Sequence, residues 1–225
     1  CRPALLARAC LLLTLKQISI MEEMINSVNP SAMPENCDIR AAARGELKGR
    51  WTQPVLCTLV YFIVIAAISS IPGLNFVSFL VTLPLAFGFA LTFLNFMRGE
   101  NRDEMVAQPF QVFKNYGRYL GTSLLQAIFI VLWSLLLIIP GIIMSYAYAM
   151  TPFICRDNPE LSASECIAKS KEMMKGYKIK LFLLDLSFIG WFLLTILTLG
   201  IYNLWLRPDI LCSHAKFYEE LKARQ

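Results

Sequence analysis

Charge is scarce in this chain: 16% of its 225 residues are Asp, Glu, Lys or Arg, against roughly 25% in an average soluble domain. That shortage excludes an intrinsically disordered chain, which needs much charge and few apolar residues. It also argues against a water-soluble globule, whose surface needs more polar cover. Histidine is nearly missing, His214 being the single one, so a site built on several imidazoles is excluded. The seven cysteines are Cys1, Cys10, Cys37, Cys57, Cys155, Cys166 and Cys212. Their number is odd and no two form C-x-x-C, so neither a disulfide framework nor a zinc cluster is indicated. Most lie in apolar stretches, where Cys behaves as a small hydrophobe. G-x-S-x-G, H-E-x-x-H, the phosphate-binding G-x-x-x-x-G-K-[ST] and G-x-G-x-x-G are all missing. With no carboxylate cluster either, nothing is placed for general acid–base work. No enzyme activity, cofactor or metal is expected.

What the chain has instead is apolar length. Hydrophobic residues make up 56% and the mean hydropathy is +0.54. A bilayer-crossing helix needs about 20 apolar residues, within roughly 17–25. Residues 54–71 and 74–97 each qualify, and Ile71-Pro72-Gly73 between them predicts a tight helical hairpin, since Pro ends a helix and Gly permits the turn. A third block, 123–155, is too long for one crossing and contains a second Ile-Pro-Gly at Ile139-Pro140-Gly141. A fourth runs from 181 to about 205, interrupted at Gly200.

Two threadings follow. Each block crosses once, giving four spans, or the last two blocks fold back at their glycines, giving six. The cations discriminate, because Lys and Arg are retained in cytoplasmic loops. Arg40, Arg44, Lys48 and Arg50 precede the first block; Arg98, Arg102, Lys114 and Arg118 follow the second. Arg156, Lys169, Lys171, Lys175, Lys178 and Lys180 separate the last two, and Arg207, Lys216, Lys222 and Arg224 lie near the end. A single crossing of block three puts the lysine-rich connector outside. A hairpin keeps every basic cluster inside, so six spans in three hairpins with both termini cytoplasmic is the favoured reading. The arm 141–155 is only roughly 22 Å of helix, which leaves a re-entrant arm as the alternative. The fold class expected is an all-α polytopic transmembrane bundle with short amphipathic interfacial helices. Residues 37–225 form its single membrane domain. Residues 1–36 are expected to be a disordered or non-native extension, with the natural start at Met21, Met24 or, preferably, Met33. The short apolar run at 9–15 has no small-residue cleavage site after it and is a poor signal peptide.

Three segments outside the blocks look amphipathic. In 39–51, Ile39, Ala43, Leu47 and Trp51 share one helical face beside the row Arg40, Arg44 and Lys48, which suits a helix lying in the membrane interface. In 107–119, Phe110, Phe113, Tyr116 and Tyr119 recur every third residue. Segment 162–176 opens with Ser162-Ala163-Ser164-Glu165, a capping box, and closes at Gly176; Lys169, Lys171 and Lys175 lie on its polar side. Arg40, Arg44, Lys48, Lys169, Lys171 and Lys175 are therefore the candidate contacts to anionic lipid, although orienting the protein explains the same cations. There is no Lys/Arg-rich run, so nucleic acid is not an expected partner; the bilayer is, together with a possible membrane protein.

Charges within apolar segments are costly and often functional. Asp185, Arg207, Asp209 and His214 are the candidates. A fold about Gly200 brings Asp185 and His214 to nearly equal depth, where they form a structural contact or a proton relay. Arg207 is expected either to pair with Asp209 or to snorkel outward. A transporter needs several polar groups converging near the midplane, and Asn95, Gln126, Ser145 and Ser187 are scattered. The expected function is a non-enzymatic accessory or scaffold protein that interacts with lipids or membrane proteins, with a small transporter or permease as the alternative.

Several runs together resemble a known family: IRAAAR at 39–44 with LKGRW at 47–51, LWSLLLIIPG at 132–141, YAY at 146–148, DNP at 157–159, SKEMMKG at 170–176, LSFIGW at 186–191 and FYEEL at 217–221. The chain resembles the bacterial integral membrane proteins of domain-of-unknown-function family 975. The resemblance implies a polytopic protein of the bacterial inner membrane and supplies no catalytic residue. Where that family tends to carry Pro-Tyr after the last tryptophan, this chain carries Pro208-Asp209.

Overall fold

The computed structural model describes residues 33–70, 75–100, 104–136 and 138–224. Among them there is helix and no strand. The expected extension at 1–32 and the Ile71-Pro72-Gly73 turn lie outside the described residues. Residues 33–36, assigned by sequence to the extension, are packed. Met33 is buried, its carbonyl accepts from Lys180 Nζ at 2.8 Å, and Asn36 Nδ2 donates to the Lys180 carbonyl at 3.2 Å.

Helix α1, Asn36–Leu47, carries Asp38 in its first turn and Arg44 in its last, each favourable toward the helix dipole. It stops before Gly49, whose φ of 78° is readily adopted by glycine. Its predicted apolar face forms, but Ile39, Ala43 and Leu47 are buried in the protein core. Helix α2, Thr52–Ser69, and helix α3, Asn75–Arg98, follow. They run antiparallel: Tyr61 stacks on Phe89 at 4.1 Å, and Ser78 Oγ donates to the Ile68 carbonyl at 3.3 Å. Pro84 lies inside α3 and cannot donate to the carbonyl four residues back. That carbonyl, on Leu80, instead accepts the Tyr116 hydroxyl at 3.3 Å.

The aromatic segment is a 3-10 helix, Gln108–Asn115. At three residues per turn, side chains three apart eclipse, which is why the three-residue spacing lines up Phe110 and Phe113. Both are exposed, while Gln108, Pro109 and Val112 face α3.

Block three folds back on itself. Helix α4, Tyr116–Leu136, is answered by α5, Ile138–Ala147, and α6, Thr151–Asp157. Arg118 Nη2 donates to the Asn158 carbonyl, Gln126 Nε2 donates to the Tyr148 carbonyl, and Ser134 lies against Gly141. One number rises as the other falls, which defines an antiparallel pair. The expectation of a turn at Ile139-Pro140-Gly141 needs correction. α5 already begins at Ile138, so Pro140 lies in its first turn, where its missing N–H has no partner to lose. Gly141 serves close packing instead: a Cβ there would lie 2.8 Å from Ser134 Cα.

Helix α7, Ala163–Met173, has the predicted capping box in place: Ser162 and Glu165 satisfy each other's amides. Helices α8, Lys178–Leu186, and α9, Ile189–Leu197, are two pieces of one apolar rod. The joint tightens to 3-10 geometry, with Phe188 N donating to the Asp185 carbonyl. Leu199 and Gly200, both at positive φ, reverse the chain into α10, Asn203–Lys222. Trp191 stacks on Tyr202 at 5.8 Å across that turn.

Among the described residues, four helical segments are long and apolar enough to cross a membrane: Thr52–Ser69, Ser78–Arg98, Gln108–Leu135 and Lys178–Leu197. Burial is inverted along the hairpins. Leu135 is 83% exposed, Leu197 80% and Leu199 94% near the turns, whereas the buried clusters gather toward the open ends. Exposed apolar surface of this extent marks contact with lipid or protein.

Gly141→Ala is expected to lower stability by about 1–3 kcal/mol through overpacking against Ser134. Gly190→Ala, inside α9 with open space around it, is expected to be neutral or to stabilise by about 0.5–1 kcal/mol. Thermal unfolding of the two purified variants in one detergent checks the pair.

Candidate functional site

The polar residues that carry most of the electrostatics converge where the hairpins open. Arg98 ends α3, Asp157 ends α6, and Tyr218, Glu219 and Lys222 occupy the last turns of α10. Arg98 places Nη1 and Nη2 on the two Asp157 oxygens, each at 2.7 Å, and Nε on Glu219 Oε1 at 2.7 Å. Asp157 Oδ2 also accepts from the Tyr218 hydroxyl at 3.0 Å and from Lys222 Nζ at 2.6 Å. The Asp157 side chain is 9% exposed. Two parallel N–H donors match a carboxylate's geometry and add strength over a single contact. The collar therefore joins all three hairpins at one carboxylate. Burial raises the Asp157 pKa, but the bonds from Arg98, Lys222 and Tyr218 outweigh it and hold the carboxyl well below its ordinary range.

A second cluster ties α1 to the third hairpin. Arg44 donates through Nε at 2.9 Å and Nη2 at 2.7 Å to Asp209 Oδ2, and its guanidinium lies 5.6 Å from the Trp191 ring. Asp209 is buried, with its side chain 6% exposed. Arg40 donates to the Ser187 carbonyl and hydroxyl, at the joint between α8 and α9, and covers the Phe188 ring at 4.2 Å. The expected Arg207–Asp209 pair is thus replaced by Arg44–Asp209. Arg207 is exposed, because residues two apart on a helix do not face each other. Arg40 and Arg44, read from sequence as interfacial cations, make these contacts within the protein while remaining partly exposed.

The third polar contact is the one anticipated between Asp185 and His214, at 2.6 Å from Oδ1 to Nε2. Both are partly buried, with side chains 29% and 21% exposed. Of the other cations singled out, Lys169 donates to Asn158 Oδ1 at 3.2 Å, while Lys48, Lys171 and Lys175 are exposed.

Sequence reasoning missed Asp157, Arg98, Tyr218 and Glu219 as a site. The available signal was that DNP and FYEEL belong to the recurring runs, although nothing in either run names the other as its partner. A further group was also missed: Arg118 Nε lies 3.3 Å from Cys155 Sγ. Among the described residues, no cluster of three or more His, Cys, Asp or Glu could hold a metal ion.

Fold and site together define a protein that is all helix among its described residues, whose apolar helices suit a membrane and whose buried carboxylates Asp157 and Asp209 are paired with arginines. The family described as "Protein of unknown function (DUF975)" matches residues 33–144 and 134–225, and the chain belongs to that family. No curated protein and no solved structure matches it significantly.

Asp157→Asn is expected to destabilise the fold by about 3–5 kcal/mol, because Arg98 loses its main counter-charge in a largely buried setting. The pH dependence follows from a depressed native pKa. Asp157 contributes fully above the unfolded value of about 3.8, and that contribution is lost as pH falls below it toward the native value. Melting temperatures of wild type and Asp157→Asn from pH 7 to pH 3 should converge as the pH drops; a constant gap would contradict the assignment.

Proposed function

We propose that this is a six-crossing protein of the bacterial cytoplasmic membrane with its basic ends and both termini inside. It acts as a non-enzymatic scaffold or accessory protein for lipids and membrane proteins. The observation that carries the threading is the register of the second hairpin. Arg118, early in α4, lies beside Asn158, and Ser134 lies beside Gly141. If α4 crosses, its return arm ends at the level where α4 began. On this reading the stretch from Arg156 to Lys180 lies on the same side as Arg98 and Arg118, which agrees with the distribution of cations. The scaffold reading is supported by how the polar groups are used. Arg98, Asp157 and Glu219 pair within the chain at the hairpin ends, and Arg44 pairs with Asp209 partway along α10, so these charges are committed to one another rather than left to line a path, as in transporters.

A second reading, a proton-coupled permease, is favoured by the Asp185–His214 contact alone. Asp209, its third candidate, is taken by Arg44. The readings part on Asp185→Asn and His214→Ala. Normal folding with loss of a cellular phenotype supports transport, and loss of folded protein supports a structural contact.

The threading is tested by single cysteines placed at Lys171 and Leu199 in a variant without Cys1, Cys10 and the exposed Cys37. A membrane-impermeant maleimide on intact cells is expected to modify position 199 and spare 171, with the reverse in inside-out vesicles. Modification of 171 on intact cells would overturn it.

A further inference from the structure

A cavity of about 210 Å³ opens between α3, the 3-10 helix, the start of α4 and the end of α6. It is separate from the Asp157 collar. Its lining includes Thr92, Asn95, Gln108, Lys114, Tyr119 and Arg156, a polar and cationic set. Pockets for drug-sized ligands run to about 300–1,000 Å³, so this one suits a small polar group and not a whole lipid or cofactor.

Two lining residues carry buried polar atoms without a hydrogen-bond partner: Arg156 Nη1, a donor, and Asn95 Oδ1, an acceptor. Each side chain is held through another of its atoms. Arg156 Nη2 pairs with Glu100, and Asn95 Nδ2 donates to Gln108 Oε1 at 2.7 Å. A buried unpaired polar atom is costly, and here a donor and an acceptor border the same space. Lys114 at the exposed rim adds a second positive charge. A complementary ligand brings an anionic oxygen for Arg156 and Lys114 and a hydroxyl proton for Asn95 Oδ1. That combination is a phosphate ester whose alcohol keeps a free hydroxyl.

We propose that this cavity binds such a group, a phosphoglycerol unit being the simplest example. The inference rests on the reading of the chain as a lipid-interacting membrane protein. Asn95 lies one helical turn before Arg98, at the end of α3, and Phe110 and Phe113 project exposed from the 3-10 helix that walls the cavity. Exposed aromatics next to a cationic pocket suit the level of lipid headgroups. The same chemistry is offered by a lipid headgroup and by a free glycerol phosphate.

The test uses the full chain in a neutral maltoside detergent, titrated with short-chain phosphatidylglycerol, short-chain phosphatidylcholine and glycerol 1-phosphate, with binding read by native mass spectrometry and by melting temperature. Phosphatidylglycerol is expected to bind and stabilise where phosphatidylcholine does not. Stabilisation by glycerol 1-phosphate as well identifies a soluble phosphate ester as sufficient; stabilisation by the lipid alone identifies the headgroup as the source. Each lost cation is expected to weaken binding about fivefold, so Lys114→Gln lowers affinity about fivefold and Lys114→Gln with Arg156→Gln about thirtyfold. Lys114 is exposed, so its single variant decides the matter if the double variant does not fold. Arg50→Gln, exposed and outside the cavity, should leave binding unchanged. Equal binding of the two lipids, or equal affinity in wild type and Lys114→Gln, overturns the pocket. If that happens while the maleimide pattern at 171 and 199 holds, the membrane reading stands without it; if the maleimide pattern fails too, both fall.

Discussion

One carboxylate has an outsized hold on this structure. Asp157 receives Arg98 from the first hairpin and Tyr218 and Lys222 from the third, while sitting at the end of the second. Apolar hairpins, if placed in a bilayer, gain nothing from the hydrophobic effect by packing on one another, since lipid tails are as apolar as leucine. Their association must come from close packing and from polar contacts. A carboxylate with three donors is costly to bury and costlier to leave unpaired, so it admits few arrangements of its neighbours. The collar acts in this sense as a register pin for the bundle.

The other polar contacts obey the same economy of placement. Arg44–Asp209 and Arg40–Ser187 fasten α1 to the third hairpin, with Trp191 and Phe188 stacked against the two guanidiniums. Arg is suited to this because its planar fork bonds and stacks at once. Where the backbone itself is broken, side chains repair it: the Tyr116 hydroxyl takes the Leu80 carbonyl that Pro84 leaves free. In a non-aqueous setting an unsatisfied carbonyl costs several kcal/mol, so such repairs decide which neighbours a kinked helix can tolerate. Close approach at Gly141 does for the second hairpin what polar contacts do elsewhere, bringing two backbones near enough for dispersion to act.

Much of this was legible from residues alone, and particular elements show why. The capping box at Ser162 is a local device, with both partners within four residues, so it reads directly from the chain and is present. The turn at Gly200 and the Asp185–His214 contact followed from folding two apolar stretches of similar length about a fixed point. The three-residue aromatic spacing signalled a face, but a 3-10 helix of eight residues is rarer than the α-helix that such a face suggests. Ile139-Pro140-Gly141 misled in detail, since Pro is as much at home in a helix's first turn as in the turn before it.

Local sequence settled the apolar helical character of the chain, the reversal at Gly200 and the capped start of the helix after Ser162. Those properties depend on neighbours a few residues away. Partner choice did not follow. Arg44 and Asp209 are 165 residues apart and Arg98 and Asp157 are 59 apart, and an isolated cation beside an apolar stretch reads equally well as a lipid contact. Only the packed bundle decides, because it alone shows which carboxylate lies within reach and too far from water to remain charged unaided.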